Sequence, residues 1–281
     1  MSASPSDRQS QLAAGNIPAP RQEVASAATA DGLYVAGGFD GSGRSAATVY
    51  RFRSGWSESP PLPRPLDHPS AAELGGRLYV AGGFSNGSAS PALYSLEGGS
   101  WRTLASMRRA RGALALVATG GRLFAIGGAG AADVAVVEAY DPGRNAWSDV
   151  SALPQPRNHL AGFSFDGKAC AAGGRSPNSA RVDCMDPATG TWSRLPDLPK
   201  PTSGAGAVVL DGMVIVAGGE DPGESRLVDQ VARFQQGTWS SEPMLHPRHG
   251  IQLAVYEGKA WACGGADQPG YHAVGSCTTI A

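Results

Sequence analysis

Charged and aromatic residues that could bind a ligand stand at two recurring places in this chain, just before and just after a series of short apolar runs. Arginine is prominent among them, and a guanidinium can hold a carboxylate or a phosphate through two parallel hydrogen bonds. The candidates before the runs are Arg21, Arg64, His68, Arg111, Arg157, His159, Arg248 and His249. Those after the runs are Phe39, Phe84, Arg175 and Glu220. We expect a site for an anionic small molecule or an acidic peptide segment.

The apolar runs end in Gly-Gly pairs, which recur every 45 or 46 residues. The six pairs begin at Gly37, Gly82, Gly127, Gly173, Gly218 and Gly264. A fixed period of this size marks a repeat architecture. The hydrophobic stretches are too short for helices, and tight turns such as Gly75-Gly76 separate them, so each unit should contain four short antiparallel strands. In the second unit we expect these strands at 70–74, 77–81, 92–96 and 101–104.

Six Gly-Gly pairs in register, Pro-Arg turns ahead of the apolar runs and a series of tryptophans make the sequence resemble the kelch family of β-propellers. The tryptophans are Trp56, Trp101, Trp147, Trp192 and Trp239. The resemblance covers almost the whole chain. It implies an all-β fold, a six-bladed kelch β-propeller with four antiparallel strands in each blade.

The sixth unit lacks its outer strand, because the chain ends soon after Gly264-Gly265. Residues 9–16 align with the Trp192 strand, with Gln11 in place of the tryptophan, so this N-terminal strand should close the ring and remove a free sheet edge. We expect a disordered lead-in at 1–8 and a single propeller domain at 9–281. Its repeats are about 17–61, 62–106, 107–152, 153–196, 197–242 and 243–281, the last completed by 9–16.

In an antiparallel blade, the start of strand one and the end of strand two lie at the same rim, and strand one is innermost. The candidate residues should therefore meet at one mouth of the central channel. A structural role is the alternative for the arginines, because a repeated Arg can donate to loop carbonyls of a neighbouring blade. Residues that break the repeat, such as His68, His159, Arg175 and Glu220, fit a ligand site better.

The loop from Gly219 to Arg226 resembles a loop of the bacterial N-acetylneuraminate epimerases, which are six-bladed kelch enzymes. The resemblance implies that Glu220 is an acid/base and that Arg226 binds the substrate carboxylate. The alternative function is therefore a carbohydrate-directed isomerase such as a sialic-acid epimerase (mutarotase), or another small-molecule enzyme with its active site at the channel mouth. Motifs of hydrolases, zinc enzymes and redox enzymes are absent from the sequence, so we expect neither a metal nor a cofactor.

The four cysteines form two pairs with the same interval, Cys170 with Cys184 and Cys263 with Cys277. Each pair falls on the predicted second and third strands of one blade, where a disulfide could form. The two pairs stand in different registers relative to Gly-Gly, which leaves buried thiols as the alternative. Disulfides would imply an extracytoplasmic, oxidising compartment, and free thiols a cytoplasmic one.

The charge balance argues against some partners. A formal net charge of −1 and a pI near 6.5 give no electrostatic footprint for nucleic acid. No stretch reaches the roughly 20 apolar residues that cross a bilayer, and the N-terminal residues lack the apolar core of a signal peptide. We expect a monomeric binding module for small-molecule or protein–protein recognition, without membrane insertion, although the sequence leaves an enzymatic role open.

Overall fold

The computed structural model describes residues 10–177 and 179–281. The predicted lead-in at 1–8 lies outside the described residues. Apart from a small hairpin, the strands form six four-stranded antiparallel sheets, the blades of a β-propeller. The innermost strands of successive blades pack against one another, and those of blades 1 and 6 also meet, so the blades form a closed ring.

The strands are numbered in chain order from β1 (Gln11–Asn16). Blade 1 contains β2 (Ala25–Thr29), β3 (Gly32–Ala36), β4 (Val49–Phe52) and β5 (Trp56–Ser59); blade 2 contains β6 (Ser70–Leu74), β7 (Arg77–Ala81), β10 (Leu93–Glu97) and β11 (Ser100–Thr103). The hairpin of β8 (Phe84–Ser85) and β9 (Ser88–Ala89) lies between β7 and β10. Blade 3 contains β12 (Ala115–Thr119), β13 (Arg122–Ile126), β14 (Val136–Asp141) and β15 (Ala146–Ala152).

The remaining three blades repeat this plan. Blade 4 contains β16 (Ala161–Phe165), β17 (Lys168–Ala172), β18 (Val182–Met185) and β19 (Trp192–Leu195); blade 5 contains β20 (Gly206–Leu210), β21 (Met213–Ala217), β22 (Val231–Gln235) and β23 (Thr238–Glu242). Blade 6 contains β24 (Leu253–Tyr256), β25 (Lys259–Cys263) and β26 (Ser276–Ile280), and its fourth strand is β1, which pairs antiparallel with β26.

The Gly-Gly pairs allow neighbouring backbone segments to approach closely. Gly37 and Gly38 both have positive φ angles, +67° and +86°. A Cβ on Gly37 would lie 2.5 Å from the carbonyl oxygen of Leu66, and one on Gly38 would lie 2.4 Å from that of Gln22. Only glycine tolerates both the conformation and the contact, which explains why the pair recurs in every blade.

The tryptophans of the outer strands link neighbouring blades. The indole N–H of Trp101 donates to the carbonyl of Pro60 at 2.7 Å, and that of Trp147 donates to Ala105 at 2.7 Å. Each of these bonds joins a blade to the preceding one, while the ring packs against apolar residues between the sheets. The tryptophan series therefore has a structural role.

The four cysteines form two disulfides, Cys170–Cys184 and Cys263–Cys277. Members of each pair are direct cross-strand partners, the first pair between β17 and β18 and the second between β25 and β26. The different distances from Gly-Gly therefore do not prevent pairing, because in both blades the third strand supplies a cysteine opposite the one on the second. Within the described ranges, no helix is long and apolar enough to cross a membrane.

Candidate functional site

One position in each blade lines the centre of the ring, just before the innermost strand. These six residues, here called the inner ring, all have positive φ angles. They are Glu23, His68, Ala113, His159, Gly204 and Gly250. Backbone hydrogen bonds join successive members, such as His68 N–H to the carbonyl of Glu23 at 3.0 Å and Ala113 N–H to that of His68 at 3.0 Å. The backbone at the channel mouth is thus a rigid frame that points six side-chain positions inward.

A pocket of about 330 Å³ opens above this frame, at the rim where the first strands begin and the second strands end. It has the size of a small-molecule site. Its charged and aromatic lining comprises Glu23, Phe39, His68, Arg175, Glu220, Glu224, His249 and Tyr271. The expected convergence of residues from both sides of the Gly-Gly pairs is therefore found, although with a different membership.

Glu23 is the carboxylate around which the two nearest histidines are arranged. Its Oε2 lies 3.3 Å from Nε2 of His68, and its Oε1 lies 3.4 Å from Nδ1 of His249. Burial by itself raises the pKa of Glu23, but the charge of His68 and a hydrogen bond from His249 outweigh it and hold the pKa well below its usual range. Glu23 is therefore an anion at neutral pH.

Glu220 lies on the other side of His249, whose Nε2 is 3.4 Å from Glu220 Oε1. Burial raises the pKa of Glu220, against the charges of His249 and Arg175, which lower it. Burial also opposes protonation of His249, but the hydrogen bond and charge of Glu23 raise its pKa above the ordinary value. The pocket thus holds two carboxylates of opposite pKa shift, an arrangement that acid/base sites commonly use.

His68 and His159 lie with ring centres 4.9 Å apart, and each is oriented by the residue before it. Nδ1 of His68 is 2.7 Å from Oδ1 of Asp67. Nδ1 of His159 contacts Oδ1 of Asn158, whose amide nitrogen in turn donates to Asp133 at 2.6 Å. Because both partners of the rings are acceptors, both Nδ1 atoms carry the proton, and both Nε2 atoms are directed into the mouth.

Within residues 10–177 and 179–281, Arg175 is the arginine that lines the pocket. Its guanidinium donates to Nε2 of His159 at 2.8 Å and pairs with Glu224 at 2.6 Å, while Glu220 lies 3.6 Å away. Burial lowers the pKa of His159, and the charges of His68 and Arg175 lower it further, so this imidazole is a neutral acceptor. Glu224, half exposed, belongs to the loop after the fifth Gly-Gly pair.

Two aromatic rings, Phe39 and Tyr271, line the pocket, and the predicted site residue Phe84 lies behind His68, outside the lining. Phe39 and Phe84 both meet His68 edge to face, with ring centres 5.5 Å and 5.7 Å from it. Tyr271 packs against Phe39 at 5.2 Å and is 68% exposed. These rings fix His68 in place and leave the Tyr271 face open to a bound molecule.

Three of the predicted ligand-binding arginines require correction. Arg111, Arg157 and Arg248 are buried within their blades, away from the pocket. Arg111 pairs with Glu138 at 2.6 Å, and Arg157 pairs with Asp183 at 3.0 Å. Arg248 donates to the carbonyls of Gly264 and Ser276 at 2.8 Å and 2.6 Å, and burial lowers its pKa to about 10. These three arginines therefore stabilise the blades, which is the structural role that the sequence analysis gave as the alternative to ligand binding.

Arg21, Arg64 and Arg226 also lie outside the pocket lining. Arg21 donates to the carbonyl of Pro20 at 2.7 Å and lies over the ring of Tyr50. Arg64 is exposed and stands two positions away from the residue that corresponds to Arg21 in the repeat. Arg226, predicted to bind a substrate carboxylate, is 84% exposed and lies 3.6 Å from Asp221.

Sequence analysis missed Glu23, Glu224 and Tyr271. Glu23 could have been predicted from the sequence, because it precedes His68 by 45 residues, the period of the repeat. Aligning whole units, instead of looking only for Arg and His, would have placed it in the inner ring. Glu224 and Tyr271 lie in loops of unequal length, and nothing in the repeat indicates which way such loops fold.

Comparison with known proteins identifies the repeat and the fold. The family model of the kelch motif matches residues 65–108 and 110–154. A solved structure titled "Structure of YjhT" is similar with a TM-score of 0.80 and 17% identity, over 93% of this chain and 95% of that chain. In all, 853 chains of solved structures match, so the likeness indicates an architecture shared by many proteins. No curated protein matches the sequence significantly.

Proposed function

We propose that this chain, a kelch-repeat β-propeller, is a binding protein for a small molecule that carries one carboxylate and several hydroxyl groups, taken up in the pocket at the channel mouth. The observation that carries the proposal is Arg175, a partly buried cation inside a 330 Å³ pocket that is otherwise lined by carboxylates, imidazoles and a few neutral groups. The fold alone is compatible with many functions, so the argument depends on these side chains.

Arg175 supplies the contact for the carboxylate. It already holds one carboxylate, that of Glu224, at 2.6 Å. Because Glu224 is half exposed and belongs to a surface loop, a ligand carboxylate can replace it without leaving a buried charge unpaired. Glu224 therefore competes with the ligand for the same guanidinium.

The other groups of the pocket suit hydroxyls and an apolar ring face. Glu23 and Glu220 accept hydrogen bonds, and the hydroxyl of Tyr271 can donate one, so adjacent hydroxyl groups would find partners of both kinds. The open face of Tyr271 offers a surface for the C–H side of a sugar ring. Sugar acids combine a carboxylate, hydroxyls and such a face.

A second candidate function is proton transfer on the same ligand, as in the interconversion of sugar anomers. The observation that favours it is Glu220, whose pKa is raised by burial toward the range in which a carboxyl can both donate and accept a proton. In this variant of the proposal Glu220 is the acid/base, and Arg175 takes the carboxylate-binding role that the sequence had suggested for Arg226.

Calorimetry with N-acetylneuraminate and D-glucuronate tests the binding proposal, with the neutral sugar N-acetylglucosamine as the comparison. Removing a charge-assisted contact costs about 1.5–3 kcal/mol, so Arg175→Ala should weaken binding of the acids about 10- to 150-fold. Glu224→Ala should tighten it, because the competing carboxylate is gone. Arg64→Ala, an exposed arginine outside the pocket, is the matched control and should bind like the unmodified protein.

Binding that is equal in the Arg175→Ala and Arg64→Ala proteins would overturn the carboxylate proposal, as would the absence of binding by either acid. Anomer exchange measured by NMR separates the two functions. If the unmodified protein exchanges the anomers faster than buffer does, and Glu220→Gln loses this acceleration, the protein is an enzyme. If the exchange rate with the unmodified protein equals that in buffer, the protein only binds the ligand.

A further inference from the structure

Three of the six inner-ring side chains bring metal-ligand atoms together. Glu23, His68 and His159 each offer one such atom, and these atoms lie within 4.8 Å of one another. All three stand at the same position of the repeat, in blades 1, 2 and 4, on the hydrogen-bonded frame of the inner ring. The backbones that carry the group are thus held to one another by hydrogen bonds around the channel mouth.

The outer contacts of both histidines match those of metal ligands. Asp67 and Asn158 accept the Nδ1 protons, so both Nε2 atoms face the centre of the group, where that of His68 lies against Glu23 and that of His159 accepts from Arg175. A metal ion would take the place of the proton between His68 and Glu23, because a ligating imidazole is neutral. Asp67 is itself fixed by Ser45, whose hydroxyl donates to it at 2.6 Å, and Asn158 is fixed by Asp133 at 2.6 Å. The carboxylate of Asp67 orients the imidazole of His68 and increases its basicity, and the amide oxygen of Asn158 orients that of His159.

The spacing fits coordination by a single ion. Nε2 of His68 and Oε2 of Glu23 are 3.3 Å apart. Two donors placed about 2.0–2.1 Å from one ion at a tetrahedral angle are separated by about 3.4 Å. His159 would approach by releasing the hydrogen bond that Nε2 receives from Arg175 at 2.8 Å, a bond that already identifies this nitrogen as an electron-pair donor.

We propose that Glu23, His68 and His159 bind a divalent first-row transition-metal ion. Two imidazoles and one carboxylate on the same side of an ion are the ligand set of non-haem iron sites and are equally suited to Zn²⁺ or Co²⁺. The other inner-ring residues are Ala113, Gly204 and Gly250, which have no side chain that could coordinate. The remaining coordination positions therefore face the pocket, where water or a ligand hydroxyl can occupy them. The site shares Glu23 with the sugar-acid pocket, but metal binding does not require that the pocket bind a sugar acid.

Cobalt titration of the whole chain, freed of metal with a chelator, tests the site. Visible absorption and calorimetry should both give one Co²⁺ per chain. His68→Ala and His159→Ala remove a ligand each, and each should weaken binding by more than the roughly 10- to 100-fold that an outer contact contributes. Asp67→Asn keeps the ligands and removes an outer carboxylate, so it should weaken binding about 10- to 100-fold.

His246→Ala is the matched control, because this exposed histidine lies outside the group and should leave Co²⁺ affinity unchanged. Histidine ring NMR of the unmodified protein with Zn²⁺ keeps the test valid if a variant fails to fold. The Nε2 signals of His68 and His159 should shift together at one equivalent, while those of His246 and His272 stay in place.

Two results would overturn the proposal. One is the absence of stoichiometric metal binding by the unmodified chain. The other is Zn²⁺ or Co²⁺ binding that survives both His68→Ala and His159→Ala, or that shifts His246 or His272 first. In either case the three side chains form an ion-pair network only.

Discussion

The buried pair of Arg111 and Glu138 provides the clearest test that Arg111 has a structural role, unlike Arg175 in the pocket. Both side chains are completely buried, and their charged atoms lie 2.6 Å apart. Glu138 also accepts the backbone N–H of Arg108 at 2.6 Å. Replacing Arg111 by Met keeps much of the volume but leaves the carboxylate without its counter-charge. Breaking such a pair typically costs about 3–5 kcal/mol.

For a chain of this size, each kcal/mol lowers the melting temperature by about 2–4 °C, so Arg111→Met should melt about 6–20 °C below the unmodified protein. Arg64→Met, at an exposed position, should change stability by about 0.5 kcal/mol or less. Circular dichroism during thermal and urea unfolding measures both. A loss in Arg111→Met no larger than in Arg64→Met would refute the assignment of Arg111 to the blade interior.

Three further predictions concern the blades and the pocket. The Cys170→Ala/Cys184→Ala protein should lose about 3 kcal/mol, the contribution expected for a loop of this length, and reduction of the unmodified protein, which opens both disulfides, should give a larger loss in a melting experiment. Glu220 has a raised folded pKa, so its contribution to stability is complete below the unfolded value of 4.5 and is lost as the pH rises through the folded pKa. Glu220→Gln should therefore be the more stable protein at pH 7 and lose that advantage below pH 4.5, as urea titrations at both pH values would measure. Deleting residues 1–16 removes β1 from its pairing with β26 and should lower the melting temperature by several degrees, and an unchanged melting curve would contradict this.

The fold could be predicted closely from the sequence because the residues that recur in each unit have strict steric roles. The Gly-Gly pairs need positive φ angles, and three of the tryptophans donate to backbone carbonyls of the preceding blade, so both leave a periodic signal. In the second blade, the predicted 92–96 and 101–104 compare with Leu93–Glu97 and Ser100–Thr103. The kelch resemblance and the six-bladed architecture are confirmed.

The site was harder to predict because the same residue type serves two purposes. Arg111 and Arg175 are the same residue type and were both predicted at one rim, but Arg111 has a buried acid, Glu138, on the third strand of its own blade. That partner is 27 residues away in the chain, and the pattern of Pro-Arg turns gives no indication of it. Glu138 and Asp183 occupy the same position of their third strands, so comparison of these strands could have identified both buried pairs.

The pocket at the channel mouth, with Arg175 as its carboxylate-binding residue, is the central claim, and a crystal structure of the protein soaked in N-acetylneuraminate or D-glucuronate tests it most directly. We predict that the ligand carboxylate lies on the guanidinium of Arg175, that Glu224 has moved away, and that ligand hydroxyls contact Glu23 or Glu220. A ligand bound only at another surface, or a pocket in which Glu224 keeps its place on Arg175 at saturating ligand, would contradict the claim.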